Sequence, residues 1–145
     1  MKDFKLIGDI TFLKAFFNET NEHHLEAKKL IDLLNDNNCF IFVSKKTWKA
    51  IEEKITDKKL FERLKNVIAL ESITSPEENF DEIEDTILFA YLTTLTASIP
   101  VYLLTTLEYS DKKIQETIEK DGNNLPIVSI ERRTFQNAIN LINTS

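Results

Sequence analysis

Three carboxylates, Asp9, Asp85 and Glu108, occupy positions from which they can act together on a bound cation. Asp9 follows a short apolar run, Asp85 lies near the start of a long amphipathic segment, and Glu108 follows the apolar run at residues 101–105. Sites of α/β folds lie at the carboxyl edge of a parallel sheet. Clustered carboxylates repel one another and usually require a cation. The pattern therefore predicts a Mg²⁺ or Mn²⁺ site.

Strands and helices that would bring these carboxylates together alternate along the chain. The hydrophobic pattern predicts strands at residues 5–8, 39–44, 67–73, 101–105 and 126–130. It predicts helices at residues 10–17, 22–35, 45–55, 58–66, 80–97, 111–120 and 132–143. This alternation favours an α/β fold with three layers, α/β/α, around a mostly parallel sheet of about four to five strands. With two glycines in the chain, no glycine-rich phosphate loop is present, which argues against a dinucleotide-binding fold.

Composition and charge narrow the class of protein. A chain of 145 residues, 42% hydrophobic and 29% charged, is typical of one globular domain, here residues 1–145. No apolar run is long enough for a membrane span, and the first residues lack a signal-peptide pattern, so we expect a cytoplasmic protein with no membrane partner. The net charge of −6 argues against a protein that coats nucleic acid. It is compatible with a nuclease, because metal ions reverse the local sign of an acidic cleft.

Cysteine and histidine offer little chemistry in this chain. Cys39 is the single cysteine, so no intramolecular disulfide forms, and its apolar neighbours predict a buried structural thiol. His23 and His24 are adjacent, and adjacent helical residues do not share a face. We interpret them as a solvated helix start rather than a metal site.

Four short motifs occur in order along the chain. They are Gly8-Asp9 after the first strand, Phe42-Val43-Ser44 at the end of the second, the acidic and then apolar segment 84–90, and Thr106-Leu107-Glu108 after the fourth strand. Together with the apolar segment 127–130 before Phe135, they resemble the PIN-domain family over residues 5–142.

Members of that family are mostly Mg²⁺- or Mn²⁺-dependent ribonucleases, and many are toxins paired with antitoxins. The resemblance implies that Asp9, Asp85 and Glu108 are the catalytic residues and metal ligands. It implies that Ser44 and Thr105 orient these carboxylates or water through their hydroxyls. RNA would be the substrate, and an antitoxin-like protein and a second copy of the chain would be the protein partners.

The sequence departs from the family pattern at two positions. The family carries a Glu about six residues beyond the serine of the second strand, where this chain has Ala50. Glu53 lies one helical turn further and is a substitute ligand, whereas Glu52 is displaced onto another face. Glu108 replaces the usual Asp and has a longer reach. A second hypothesis follows from these changes: a catalytically degenerate PIN-like module that binds a protein or RNA without cleaving it.

Each candidate residue also has a structural interpretation. Asp9 can cap the helix that starts at Ile10. Asp85 can belong to a solvated acidic helix start, which the helix dipole favours. Glu108 can be a surface turn residue. A third hypothesis is an unrelated three-layer α/β domain, in which the three acids would lie far apart.

A basic run follows the second strand. Lys45, Lys46 and Lys49 come directly after Ser44 and either contact RNA phosphates or form a solvated helical face. Trp48, in the same segment, either stacks on a base or belongs to the core.

Overall fold

The first strand in sequence is the central strand of the sheet. The computed structural model describes residues 4–71, 80–106, 111–120 and 130–144. Its strands are β1 (Lys5–Gly8), β2 (Ile41–Ser44), β3 (Ile68–Glu71), β4 (Val101–Leu104) and β5 (Glu131–Arg133). They pair in parallel in the order β3-β2-β1-β4-β5. All carboxyl ends therefore meet at one edge of the sheet.

Helices cover both faces of this sheet. In the described part of the chain they are α1 (Ile10–Phe17), α2 (His24–Asp36), α3 (Lys45–Glu52), α4 (Lys58–Lys65), α5 (Glu82–Thr96), α6 (Asp111–Lys120) and α7 (Phe135–Thr144). The predicted three-layer α/β/α architecture is thus confirmed. Of these helices, none has both the length and the apolar character that crossing a bilayer requires.

Alternating strand residues divide the core into two layers. Leu6 and Leu104 belong to the layer beneath α1, α2 and α7. Ile7 and Leu103 belong to the opposite layer, against α5 and α6. Both layers are apolar because a central parallel strand is buried on both faces, which explains why the strands read as continuous hydrophobic runs. The central helix α5 is buried from Asp85 to Tyr91, and its apolar sequence predicts this burial from Ile87 onwards.

Gly8 permits a close approach between β1 and its neighbours. A Cβ atom at this position would lie 2.9 Å from Ile41 Cδ1 and 3.1 Å from Phe12 Cδ2. Both neighbours are fully buried, so neither has open space into which it can move. The absence of a side chain at Gly8 therefore sets how closely α1 and β2 pack beside the residue that follows it, Asp9.

The junction between α2 and β2 differs from the prediction. Asn38 adopts a left-handed conformation with φ of 53°, and the Cys39 amide still donates to Leu34 O of the helix at 2.9 Å. The chain enters the sheet only at Ile41, whose amide donates to Val67 O at 2.8 Å. Consequently Cys39 is half-buried and Phe40 is 54% exposed. The prediction of a buried strand from residue 39, and of a fully buried thiol, is wrong.

The last described strand, β5, covers residues for which the sequence pattern does not predict a strand. Of the expected strand at 126–130, residues 126–129 fall outside the described residues, and Ile130 precedes the strand Glu131–Arg133. These three residues are charged, so no apolar pattern marks them as a strand. The Arg133 guanidinium lies 4.8 Å from the centre of the Tyr102 ring, so a cation–π contact joins β5 to the neighbouring strand β4. Accordingly, α7 starts at Phe135 rather than at residue 132.

His24 is buried rather than solvated. Its ring Nδ1 lies 2.9 Å from Ala15 O, at a side-chain exposure of 8%. His23 is half-buried and packs edge-on against the Phe135 ring, with centroids 5.9 Å apart. The interpretation of this pair as a solvated helix start is therefore wrong, because both rings take part in packing between helices.

Candidate functional site

The two strands at the centre of the sheet diverge at their carboxyl ends. From β1 the chain runs through α1 towards β2 on one side, whereas from β4 it continues towards β5 on the other side. Such a topological switch point leaves a crevice in which open α/β sheets bind their ligands. Asp9 follows β1 and Thr105 follows β4, so both residues border this crevice.

Asp9 is buried and caps α1. Its Oδ1 atom accepts hydrogen bonds from the Thr11 amide at 2.9 Å and the Phe12 amide at 3.2 Å, and from the Thr11 hydroxyl. The side chain is inaccessible to solvent in the free protein. The predicted capping role is confirmed. These bonds also fix the carboxylate relative to the end of β1.

Thr11 joins this cap to the neighbouring strand. Its Oγ1 accepts from the Thr106 amide at 3.0 Å while its hydroxyl donates to Asp9. The Asp9 amide donates to Leu104 O at 3.3 Å. Thr105 itself is 7% exposed, and its amide donates to Arg133 O at 3.4 Å. The ends of β1 and β4 are therefore tied together on the floor of the crevice.

A chain of buried hydroxyls connects the other side of the edge to α5. The Ser44 side chain caps α3 by accepting from the Thr47 amide at 3.2 Å, and its hydroxyl lies 2.8 Å from Thr47 Oγ1. Thr47 Oγ1 lies 3.0 Å from Thr86 Oγ1. Thr86 donates to Glu82 O at 2.9 Å. These contacts hold the first turn of α5 over the end of β2.

Asp85 lies within this first turn but differs from the acids around it. Asp81 and Glu84 form a capping box at the helix start, with the Glu84 amide 2.7 Å from Asp81 Oδ1. Asp81 is exposed and Glu84 is half-buried, whereas Asp85 is only 9% exposed. The interpretation of Asp85 as part of a solvated acidic surface is therefore wrong.

Burial raises the pKa of Asp85 above its ordinary value, because the interior disfavours the charged form. A hydrogen bond from Ser44 and the positive charge of Lys46 act in the opposite direction. The Ser44 hydroxyl has one proton, so it donates either to Asp85 or to Thr47, and an ionised carboxylate is the stronger acceptor. A buried acid with a perturbed pKa at a sheet edge is typical of functional sites.

Asp9, Ser44 and Asp85 share one edge. The pairing of Ile7 with Phe42, extended by two residues along both strands, brings Asp9 level with Ser44. Adjacent strands lie about 4.8 Å apart, and the Ser44 side chain influences the pKa of Asp85. The structure thus places Asp9 beside Ser44 and Ser44 near Asp85, while the convergence of the three predicted carboxylates on one cation stays a prediction.

Of the remaining acidic candidates, the structure describes Glu53 but not Glu108. Glu108 lies outside the described residues. Glu53 is exposed at the carboxyl end of α3, where it follows the last helical residue. Within residues 4–71, 80–106, 111–120 and 130–144, no three His, Cys, Asp or Glu side chains are grouped closely enough to hold a metal ion. Asp9 and Asp85 are thus the two predicted carboxylates that the structure describes near this edge, where Glu71 also ends β3 beside Ser44.

The basic run separates into two environments. Lys45 and Lys49 are exposed, whereas the Lys46 ammonium donates to Phe80 O and its charge acts on Asp85. Trp48 belongs to the core: it is 7% exposed, and its ring lies 5.7 Å from that of Phe61. Its indole N–H donates to Glu52 at 2.7 Å, which directs Glu52 away from the candidate site.

The sequence analysis does not identify three threonines of the site, Thr11, Thr47 and Thr86. Two of them had a local signal. Thr11 stands two residues after a capping Asp, and Thr47 stands three residues after a capping Ser, which are the positions that capping side chains contact. Thr86 had none, because its partner Thr47 is 39 residues away in sequence.

The chain matches no protein-family model, and comparisons with curated proteins and with solved structures gave no significant match.

Proposed function

We propose that this chain is a PIN-like, Mg²⁺- or Mn²⁺-dependent ribonuclease that hydrolyses phosphodiester bonds at the carboxyl edge of its sheet. The proposal is supported by the position of Asp9 level with Ser44 at the carboxyl edge, beside the switch point between β1 and β4, and by the influence of Ser44 on the buried carboxyl group of Asp85. Burial raises the pKa of Asp85, so keeping this carboxyl group ionised is unfavourable in the free protein, which favours a role beyond structure.

The donor set suits a hard divalent cation. Mg²⁺ prefers oxygen ligands and is usually bound through one or two carboxylates, with waters in its remaining positions. Asp9 and Asp85 would provide these carboxylates, and Glu108, outside the described residues, would provide a third. A bound ion of this kind lowers the pKa of water and stabilises the charge that develops on phosphate oxygens.

The protein groups have distinct roles in this proposal. The amides of α1 hold the Asp9 carboxylate in place at the end of β1, and the groups that cover it would have to move when an ion binds. Ser44 orients Asp85 through its hydroxyl, and Lys46 offsets part of the cost of ionising it. Thr105 contributes a buried hydroxyl on the β4 side of the crevice.

The experiment compares cleavage of a mixed, partly single-stranded RNA pool in Mn²⁺ by the natural chain and by Asp9→Asn and Asp85→Asn. Asn is a good capping residue, so Asp9→Asn removes the charge while keeping the cap of α1. Asp57→Asn is the matched control. Asp57 caps α4 through the Lys59 and Leu60 amides at 3.0 Å and 3.2 Å, away from the sheet edge.

We expect both site variants to lose cleavage and calorimetric Mn²⁺ binding while Asp57→Asn retains them. Cleavage that survives in folded Asp9→Asn and Asp85→Asn would contradict the assignment of the site.

Two observations favour a second candidate, a degenerate PIN-like module that binds RNA or a protein without cleavage. Ala50 stands where the family carries an acid, and the described residues contain no group of three potential metal ligands. No cleavage by the natural chain, together with no heat of Mn²⁺ binding, would favour this candidate. For either function we propose a cytoplasmic protein, with an antitoxin-like protein and a second copy of the chain as candidate partners. A small DNA-binding protein encoded beside it would favour the toxin role.

A further inference from the structure

Positive charge is concentrated in one segment of an acidic protein. Residues 45–65 contain eight of the 18 Lys and Arg residues but four of the 24 Asp and Glu residues. Their local charge is +4, although the whole chain has a net charge of −6. This segment comprises α3, α4 and the connection between them. A polyanion is therefore attracted to one part of the surface and repelled by the rest.

Five lysines of this segment are exposed and form no ion pair with any residue that the structure describes. They are Lys45, Lys49, Lys54, Lys58 and Lys59, here called the lysine strip. The other basic residues have partners: Lys46 donates to Phe80 O, Arg63 pairs with Asp32, and Lys65 lies 5.7 Å from the centre of the Phe61 ring.

The acids of the same segment do not neutralise the strip. Glu52 accepts from the Trp48 indole, and Asp57 accepts from two amides of α4. Glu53 and Glu62 are exposed and form no ion pair with a described residue. The surplus of positive charge therefore faces solvent.

Both helices start with cations where helices favour anions. Lys45 and Lys46 begin α3, Lys58 and Lys59 begin α4, and neither first turn contains an acid. The helix dipole makes a positive charge at this end unfavourable, by about 0.3–1 kcal/mol for an exposed group. Because Ser44 and Asp57 cap amides of these first turns, attraction for an anion comes mainly from the lysine charges together with the helix dipole. The stability of the two helices therefore does not explain why lysines occupy these starts, whereas attraction of a polyanion is consistent with them.

The strip starts at the candidate site. Lys45 directly follows Ser44 at the carboxyl edge, and Lys49 lies one turn further on the same face of α3. After the connection at residues 53–57, α4 continues the segment with Lys58 and Lys59. A strand of nucleic acid on this segment would have one end beside Asp9 and Asp85.

We propose that the lysine strip binds the phosphates of single-stranded RNA and leads the strand to the carboxyl edge of the sheet. The choice of RNA rests on the proposed function, and the test below separates the two. Phosphate contacts of this kind position a strand without reading its sequence. The strip therefore selects for charge and a flexible backbone rather than for particular bases.

The test measures fluorescence anisotropy of a labelled, mixed-sequence RNA of about 20 nucleotides in EDTA, where metal-dependent cleavage cannot occur. The strip variant is Lys49→Gln/Lys58→Gln/Lys59→Gln. The control is Lys14→Gln/Lys28→Gln/Lys29→Gln, which changes the net charge equally at three exposed lysines of α1 and α2. At salt concentrations of about 50 mM to 200 mM, we expect the strip variant to bind the RNA at least about 10-fold more weakly than the natural chain does. We also expect the slope of log affinity against log salt to be smaller in magnitude by about two. The control stays close to the natural chain.

Equal losses in the two variants, or no RNA binding by the natural chain, would overturn the proposal. Displacement of the RNA by polyglutamate at equal charge would also overturn it, in favour of an acidic protein partner. The two proposals can fail independently. If RNA binding depends on the strip but the natural chain does not cleave RNA in Mn²⁺, the proposed nuclease is rejected and the RNA-binding role of the strip is retained. If the strip variant cleaves RNA as well as the natural chain does, the proposed role of the strip is rejected.

Discussion

The hydroxyls of Thr47 and Thr86 lie 3.0 Å apart and join α3 to α5 inside the protein. Both side chains are fully buried, and both also approach Glu82 O. The pair links the helix that follows β2 to the helix that contains Asp85. The position of Asp85 therefore depends on two residues that are not themselves acidic.

Replacing either hydroxyl should destabilise the protein. Thr47→Val and Thr86→Val keep the shape and remove the donor, and each should lower the free energy of unfolding by about 1–3 kcal/mol, because the partner hydroxyl is left with a missing bond. The double variant should lose less free energy of unfolding than the two single variants lose together, because the contact between the hydroxyls is already absent when the second one is replaced. Urea unfolding of the four proteins measures this. Strict additivity would contradict a direct bond between the hydroxyls.

Gly8→Ala should strain the contact between β1 and β2. The new methyl group would approach Ile41 Cδ1 to 2.9 Å, and overpacking of this kind costs about 1–3 kcal/mol of folding stability. Ile41→Val removes that Cδ1 atom. In the double variant we therefore expect a smaller loss than the sum of the single losses, as measured by thermal or urea unfolding. If Ile41→Val brings no such relief, the Phe12 contact at 3.1 Å is the limiting one.

Asp85 should make stability depend on pH in a definite direction. Its pKa in the folded protein is raised above the ordinary value of 3.8 by burial, so the folded state binds a proton more readily than the unfolded chain. The ionised carboxylate therefore lowers stability above the folded pKa, and this penalty fades as pH falls towards 3.8. Relative to the natural chain, Asp85→Asn should gain stability at neutral pH and lose that gain in acid. Unfolding curves across this range test it, and a pH-independent difference would contradict it.

Ser44→Ala provides an independent check on the same carboxyl group. Ser44 lowers the pKa of Asp85 through a hydrogen bond, so its removal should raise that pKa further. Titration of the Asp85 carboxyl carbon by NMR reports the change directly. A pKa that is unaltered, or lower, in Ser44→Ala would mean that the Ser44 proton goes to Thr47 instead.

Asn38 should tolerate glycine but not a β-branched residue. Its φ of 53° lies in the left-handed region, which Gly adopts without steric cost and which Val strongly resists. Asn38→Gly should change the free energy of unfolding by less than about 0.5 kcal/mol. Asn38→Val should lower it by about 1–2 kcal/mol. Equal stability of the two variants would contradict the assigned backbone conformation.

The sequence predicts the architecture because its buried strands and helices have distinct periods. Leu6 and Ile7 are both apolar because a central parallel strand is buried on both faces. The predicted strand bounds are wrong where the hydrophobic pattern does not determine the local structure. Phe40 reads as a strand residue, yet the cap of α2 extends to Cys39. Glu131–Arg133 has no apolar pattern, because an edge strand need not be buried on both sides.

The site is predictable only in part. Asp9 and Ser44 follow strand ends, so parallel topology is enough to place them at one edge. The burial of Asp85 is not visible in its sequence, because Asp81, Glu82 and Glu84 give the same acidic signal and none of them is buried. What separates Asp85 from them is its contact with Ser44, 41 positions away, and contacts of this range depend on the completed fold.

Trp48 gives this protein an optical reporter at a useful place. It is the only tryptophan in the chain and it is buried. It belongs to α3 and packs against the Phe61 ring of α4. Its intrinsic fluorescence therefore reports on the two helices that contain the lysine strip. Any ligand that moves these helices relative to each other will change the indole emission, so binding can be followed without a label.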